Sequence, residues 1–155
     1  MRAQHRIRRA APDDMVRIVA IEGASFGKDA YDCKLFAHFL RRCGDLFLVV
    51  ERNRRVCGYS ITCIRVSRGT AKAELVSIAV EPRKRTRGAA AALLESTLRR
   101  LRRRGVQKIN LVVRVGNRPA LAFYQKYGFR RIRRVPGYYE DGADGIAMAR
   151  PVISR

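Results

Sequence analysis

Apolar and polar positions along this chain follow two different rhythms. Residues 5–9 read as a short strand, and the acidic turn beside a proline at Pro12-Asp13-Asp14 marks a helix start. Met15, Ile18, Val19 and Phe26 follow at roughly helical spacing, with Gly27 as the stop. A second amphipathic helix is predicted over 31–40, where Leu35, Phe36, Phe39 and Leu40 are the apolar positions. The pattern then changes to that of strands. Residues 45–51 (DLFLVVE) and 56–66 pair as a hairpin around a turn at Asn53-Arg54-Arg55, and 74–80 (ELVSIAV) is a further strand.

The helical rhythm returns over 88–104. Ala89, Ala92, Leu93, Thr97, Leu98 and Leu101 point inward there, arginines point outward, and Gly105 closes the helix. Residues 108–115 (KINLVVRV) form a strand and 119–127 a short helix between Pro119 and Gly128. Two last strands cover 129–135 and 145–150. The order β-α-α-β-β-β-α-β-α-β-β predicts one sheet mixing antiparallel and parallel strands, with helices on both faces. The fold class is α+β, or mixed α/β, in a single domain over 1–155.

With 47% hydrophobic residues, 155 residues can bury a real core, which excludes wholesale disorder. No apolar run approaches the roughly 18 residues of a membrane span. The N-terminus has basic residues but no apolar stretch behind them, so a cytoplasmic protein without membrane contact is expected. Four cysteines stand at 33, 43, 57 and 63, with no C-x-x-C pair and no metal spacing to His5 or His38. Reduced, mostly buried thiols are expected, with Cys57 and Cys63 on one strand face. No metal is expected.

Charge alters the picture. There are 34 Lys and Arg against 13 Asp and Glu, a net +21, and 28 of the 34 are Arg. Such a balance suits a polyanionic partner: nucleic acid, a phosphorylated cofactor or an acidic peptide. A GC-rich genome that writes Arg wherever a solvated cation serves would give the same count, and the charge is spread along the whole chain.

The segment richest in chemistry is 75–94. A buried strand ends at Pro82, a basic turn follows, and a helix begins near Gly88. Free N–H groups and the helix dipole make such a junction a ready anion site, and Gly88 with its alanines leaves the backbone uncovered. Arg83, Lys84, Arg85 and Arg87 add cations. An ordinary strand-to-helix connection with solvated arginines has the same composition. Walker and dinucleotide-binding glycine patterns are absent.

Arg85-x-x-Gly88-x-Ala90 matches the [QR]-x-x-G-x-[GA] signature of the GNAT acetyltransferase superfamily in its strand-loop-helix setting. A second block, Asn117-x-x-Ala120-x-x-Phe123-Tyr124-x-x-x-Gly128-Phe129, matches the same superfamily. The run from Gly137 through Tyr138, Tyr139 and Asp144 to Met148 resembles the ending of RimI-like protein N-terminal acetyltransferases, and so does Ile21-Glu22-x-x-Ser25-Phe26.

The resemblance implies a GNAT fold, a mixed central sheet of about seven strands flanked by about four helices. It implies acetyl-CoA as cosubstrate, its pyrophosphate on N–H groups of Arg85, Thr86, Arg87, Gly88, Ala89, Ala90 and Ala91. The pantetheine would pair with backbone of Ile78, Ala79 and Val80, and Asn117 would bind the cofactor arm. Tyr124 stands where the family places its general acid. RimI-like enzymes often carry Glu where this chain has Val112, so Glu74 is the substitute base; Glu22, Asp29 and Glu140 are lesser candidates. Phe26, Tyr138 and Tyr139 would border the acceptor.

The acceptor expected is the N-terminal α-amine of a protein or peptide. Alternatives are a small amine or lysine side chain, or a basic nucleic-acid module with a vestigial fold. Net charge disfavours cationic small molecules. The clusters Arg99, Arg100, Arg102, Arg103, Arg104 and Arg130, Arg131, Arg133, Arg134 suit salt-sensitive contact with RNA or the ribosome.

Overall fold

The computed structural model describes residues 5–26, 32–82 and 88–153. In chain order the elements are β1 (Arg6–Arg9), α1 (Met15–Phe26), α2 (Cys33–Cys43), β2 (Phe47–Arg52), β3 (Arg55–Ser67), β4 (Thr70–Val80), α3 (Ala89–Arg103), β5 (Lys108–Arg114), α4 (Arg118–Lys126), β6 (Arg130–Val135) and β7 (Gly145–Pro151). The expected order of elements holds. One seven-stranded sheet runs β1-β2-β3-β4-β5-β7-β6. Every neighbouring pair is antiparallel except β4 and β5, which are parallel across the crossover through α3.

Two hairpins build the first half of the sheet. Asn53 and Arg54 connect β2 to β3, and Arg68 and Gly69 connect β3 to β4, all four at positive φ. Two-residue turns of that hand match the right-handed twist of the strands they join. The second hairpin makes β4 longer than the strand expected over 74–80. Its first residues, Thr70-Ala71-Lys72-Ala73, hold one β-branched residue and no aromatic, too little to mark a strand.

The sheet carries apolar residues on both faces. Ile18 and Ile21 of α1 and Phe36 of α2 pack on Phe47, Val49, Tyr59 and Ile61. On the other face α3 and α4 lay Leu94, Leu98, Leu101, Leu121 and Tyr124 over Leu75, Ile109, Leu111, Val113 and Met148. Each fully buried Leu or Ile contributes about 1.5–3 kcal/mol from apolar burial. At the sheet edge, Asp14 receives two hydrogen bonds from the Arg8 guanidinium, at 2.8 and 2.9 Å, and one from the Ala11 N–H at 2.8 Å. Arg17 of α1 is ion-paired with Glu81, just past β4, at 2.7 Å.

The cysteines depart from expectation. Cys43 and Cys63 are joined in a disulfide, because α2 ends directly over β3 with the two Cα atoms 5.0 Å apart. Cys33 is exposed and Cys57 buried, both as thiols. Cys57 and Cys63 do not share a face: Cys63 packs under α1 and α2, Cys57 under α3. The register shifts where β2 has Val50 then Glu51 against Gly58 then Val56 of β3, so Cys57 is the extra residue of a bulge and the alternation inverts there.

Candidate functional site

The parallel pair β4 and β5 holds register at only three positions, Lys72 with Lys108, Ala73 with Ile109 and Glu74 with Asn110. Beyond Glu74, β4 continues to Val80 paired with β3 alone, while β5 continues to Arg114 paired with β7. The sheet therefore opens into a wedge with Glu74 at its apex. Ile78, Ala79 and Val80 lie on the open arm, opposite Ser60, Tyr59 and Gly58 of β3. In an antiparallel pair only alternate backbone groups bond to the partner. The remainder on this arm face the wedge and can receive an extended ligand as an added strand. Gly58 keeps the arm in place, since a Cβ there would stand 2.9 Å from the Ala79 carbonyl oxygen.

The arm leads to the N-terminus of α3. Gly88 is its N-cap at φ +94, a left-handed conformation that strains any other residue. Ala89, Ala90 and Ala91 are the first three residues of the helix, whose N–H groups have no partner within it. Small side chains at these positions suit a diphosphate, so the residues present fit the nucleotide end of acetyl-CoA. The expected contributions of Arg83, Lys84, Arg85, Thr86 and Arg87 lie outside the described residues.

The wedge has two differently furnished faces. On the α1 and α2 face, Glu74 is ion-paired with Arg65 at 3.3 Å. Tyr138 stands beside this pair. Burial raises its pKa and the Glu74 charge raises it further, while Arg65 lowers it. Val112 packs where a side chain at Gly145 would fall, so this stretch of β5 offers no carboxylate. Tyr139 stacks edge-on with Tyr138 at 5.0 Å, and the Arg114 guanidinium sits 4.7 Å from its ring centre. Arg114 also grips Asp141 with two hydrogen bonds, at 3.2 and 2.7 Å, which fastens the β6–β7 connection to the end of β5. Asp144 secures its other side, accepting from Arg134 at 2.6 Å and from the Gly137 N–H at 2.8 Å.

On the opposite face, Tyr124 of α4 is 8% exposed and packs edge-on against Phe123 and Phe129. Burial pushes its phenol well above the ordinary tyrosine value, and Tyr139 adds to that shift across the wedge. The phenol is thus held protonated, as a donor.

Glu74, Tyr124, Tyr138 and Tyr139, named from sequence, come together around one opening. Asn117 is the N-cap of α4, its side chain accepting from the Ala120 N–H at 3.3 Å. Phe26 ends α1, 37% exposed. Glu140 is exposed on the β6–β7 connection, and Asp29 lies outside the described residues. Glu22 is 1% exposed and accepts a hydrogen bond from the Tyr59 hydroxyl. Sequence reasoning missed Arg65, Arg114 and Asp141. Reading Arg68-Gly69 as a two-residue turn would have set the β3–β4 register and placed Arg65 diagonally across from Glu74.

The chain matches the family described as Acetyltransferase (GNAT) family over residues 13–129. It is 32% identical, over 94% of its length and 92% of the relative's, to an N-alpha-acetyltransferase of Saccharolobus solfataricus. It is 35% identical to the ribosomal protein bS18 alanine N-acetyltransferase of Escherichia coli over 66% of this chain and 69% of that one. Among solved structures, Ard1 from Thermoplasma volcanium superposes with a TM-score of 0.89 at 29% identity, covering 97% of this chain and 99% of that one.

Proposed function

The chain belongs to the GNAT acetyltransferase family, and we propose that it acetylates the N-terminal α-amine of protein or peptide chains in the wedge between β4 and β5. It is an acyltransferase whose cosubstrate is acetyl-CoA. Bound there, acetyl-CoA supplies a thioester carbonyl that an uncharged amine can attack. The backbone of Ile78, Ala79 and Val80 holds its extended arm, with Asn117 beside it. The N–H groups of Ala89, Ala90 and Ala91, with Arg85, Thr86, Arg87 and Gly88 of the signature, take the phosphates.

Glu74 accepts the proton that the amine nitrogen loses, directly or through one water. A peptide α-amine has a pKa near 8, so a fair share is already uncharged at neutral pH and a modest base suffices for the proton released on attack. Tyr124, protonated and on the other face, gives a proton or hydrogen bond to the departing sulfur. Tyr138, Tyr139 and Phe26 border the incoming peptide. Tyrosine packs on side chains with its ring and bonds backbone with its hydroxyl.

The observation that carries this reading is Glu74 at the apex of the open wedge, beside Tyr138. Support for a polypeptide acceptor comes from the Saccharolobus and Escherichia relatives, both named for N-terminal or protein alanine acetylation. The same reading places the enzyme in the cytoplasm, where new N-termini emerge. Its exposed arginines at 99, 102, 103, 130, 131 and 133 suit a position beside ribosomal RNA. Release of free thiol from acetyl-CoA tests the acceptor class: peptides with a free α-amine should support it, and polyamines and aminoglycosides should not. Equal turnover of the small amines would point to the other class.

A further inference from the structure

Glu74 and Ser77 are three residues apart, a spacing that puts strand residues on opposite faces. In this chain they share a face. Glu74 pairs with Cys63 and Ser77 with Ile61, both on the α1 and α2 side, because the β3–β4 register shifts where Ile61 then Thr62 oppose Ser77 then Leu75. Val76 is the extra residue. Bulges of this kind re-aim a side chain, and this one turns Ser77 toward the face where Glu74 and Tyr138 stand.

The Ser77 hydroxyl is the outer end of a buried chain. Its Oγ lies 3.1 Å from the Tyr59 hydroxyl, and that hydroxyl donates to Oε1 of Glu22. Tyr59 is 0% exposed and Glu22 1%, while Ser77 is partly exposed. Tyr59 has a single hydroxyl proton, and it is directed at Glu22. Ser77 must then donate its own proton to the Tyr59 oxygen. What Ser77 offers to the wedge is a lone pair. A buried carboxylate two hydroxyls away has fixed the polarity of this group.

We propose that Ser77 is a further substrate-binding residue: its Oγ accepts a hydrogen bond from the α-amine of the acceptor, with Tyr59 and Glu22 as positioning residues that keep it an acceptor. The amine nitrogen is then held by one N–H while Glu74 takes the other proton, and its own lone pair is left for the thioester. This rests on the acetyl-acceptor reading above.

The test compares a short peptide with its des-amino analogue, identical except that hydrogen replaces the α-amine. Their affinities for the CoA-loaded protein are measured by calorimetry, and turnover is measured for the amine. The wild type should bind the amine form roughly tenfold more tightly, the contribution of one hydrogen bond to a charge-capable group. Ser77→Ala should narrow the difference by weakening only the amine form, and should raise its KM, with the remaining discrimination due to Glu74. Ser77→Thr should restore the difference. Tyr59→Phe, which keeps the ring but frees the Ser77 proton to point outward, should act in the direction of Ser77→Ala. Acetyl-CoA affinity should be unchanged in all of them. Intact discrimination in Ser77→Ala, or equal loss for both peptides, overturns the role of Ser77 while leaving acetylation standing. A wild type that binds neither peptide overturns the acetyl-acceptor reading as well.

Discussion

Glu74 and Asn110 are the last residues at which β4 and β5 pair, and the strands part immediately beyond them. That one relationship places a carboxylate at the closed end of a wedge whose open arm carries free backbone groups. Nothing in the local sequence compels the parting. It follows from β5 finding its antiparallel partner in β7 while β4 stays with β3. The wedge is a consequence of topology, and the chemistry sits where the topology puts it.

Glu74→Gln tests the base. The amide keeps size and strand pairing but cannot take a proton. Turnover should fall by about 10²–10⁴, the usual contribution of a positioned acid or base. Acetyl-CoA affinity should hold, because Glu74 lies outside the arm formed by Ile78, Ala79 and Val80. Steady-state kinetics on a free-amine peptide would check this. An unchanged pH–rate profile would assign the proton to solvent.

Tyr124→Phe tests the donor. Burial raises the Tyr124 pKa, so its proton is retained through neutral and alkaline pH. The wild-type profile should then show no loss of the Tyr124 proton below about pH 10, the ordinary tyrosine value. The same shift makes folding stability fall as pH rises above that value, since the unfolded chain ionises first. Tyr124→Phe should flatten that alkaline decline and lower turnover about 100-fold. Full activity in the variant would remove Tyr124 from the reaction.

Much of this arrangement was legible in the sequence. The α3 stripe, the two family blocks and the C-terminal tyrosines led to Gly88, Tyr124, Tyr138 and Tyr139 because each sits in a strongly patterned segment. The disulfide was not legible, since Cys43 and Cys63 meet only through the tertiary placement of α2 on β3. The bulges at Cys57 and Val76 were equally hidden. An inserted residue leaves no mark in an apolar run, yet it inverts the face of every residue beyond it. From sequence, Ser77 is therefore one more residue of a buried strand.

Gly88 links backbone conformation to the cofactor. Among the described residues a Cβ there would meet nothing closer than the His5 ring at 3.8 Å, so the obstacle to a side chain is φ +94. Gly88→Ala should lower stability by about 1–3 kcal/mol through that strain alone. Gly88→Glu adds a negative charge at the phosphate end and should abolish the rise in melting temperature that acetyl-CoA gives the wild type. Thermal unfolding with and without acetyl-CoA measures both effects.

Asp14 makes a prediction for acid. The Arg8 guanidinium, more than burial opposes it, holds the Asp14 pKa below the usual carboxylate value, and the Ala11 N–H helps. A depressed folded-state pKa contributes stability that is present above about pH 4 and lost as pH falls through the folded value. Asp14→Asn should cost about 1–3 kcal/mol at neutral pH and weaken the acid dependence of unfolding. Chemical denaturation at pH 7 and pH 3 would register it.

The most direct measurement is the position of the acetyl group on the product. A peptide carrying both a free α-amine and a lysine side chain would be incubated with the enzyme and acetyl-CoA, then sequenced by tandem mass spectrometry. The expected result is a single acetyl on the α-amine, absent when that amine is blocked in advance. Acetyl on the lysine instead, or no acetylated peptide at all, would contradict N-terminal acetylation in the β4–β5 wedge.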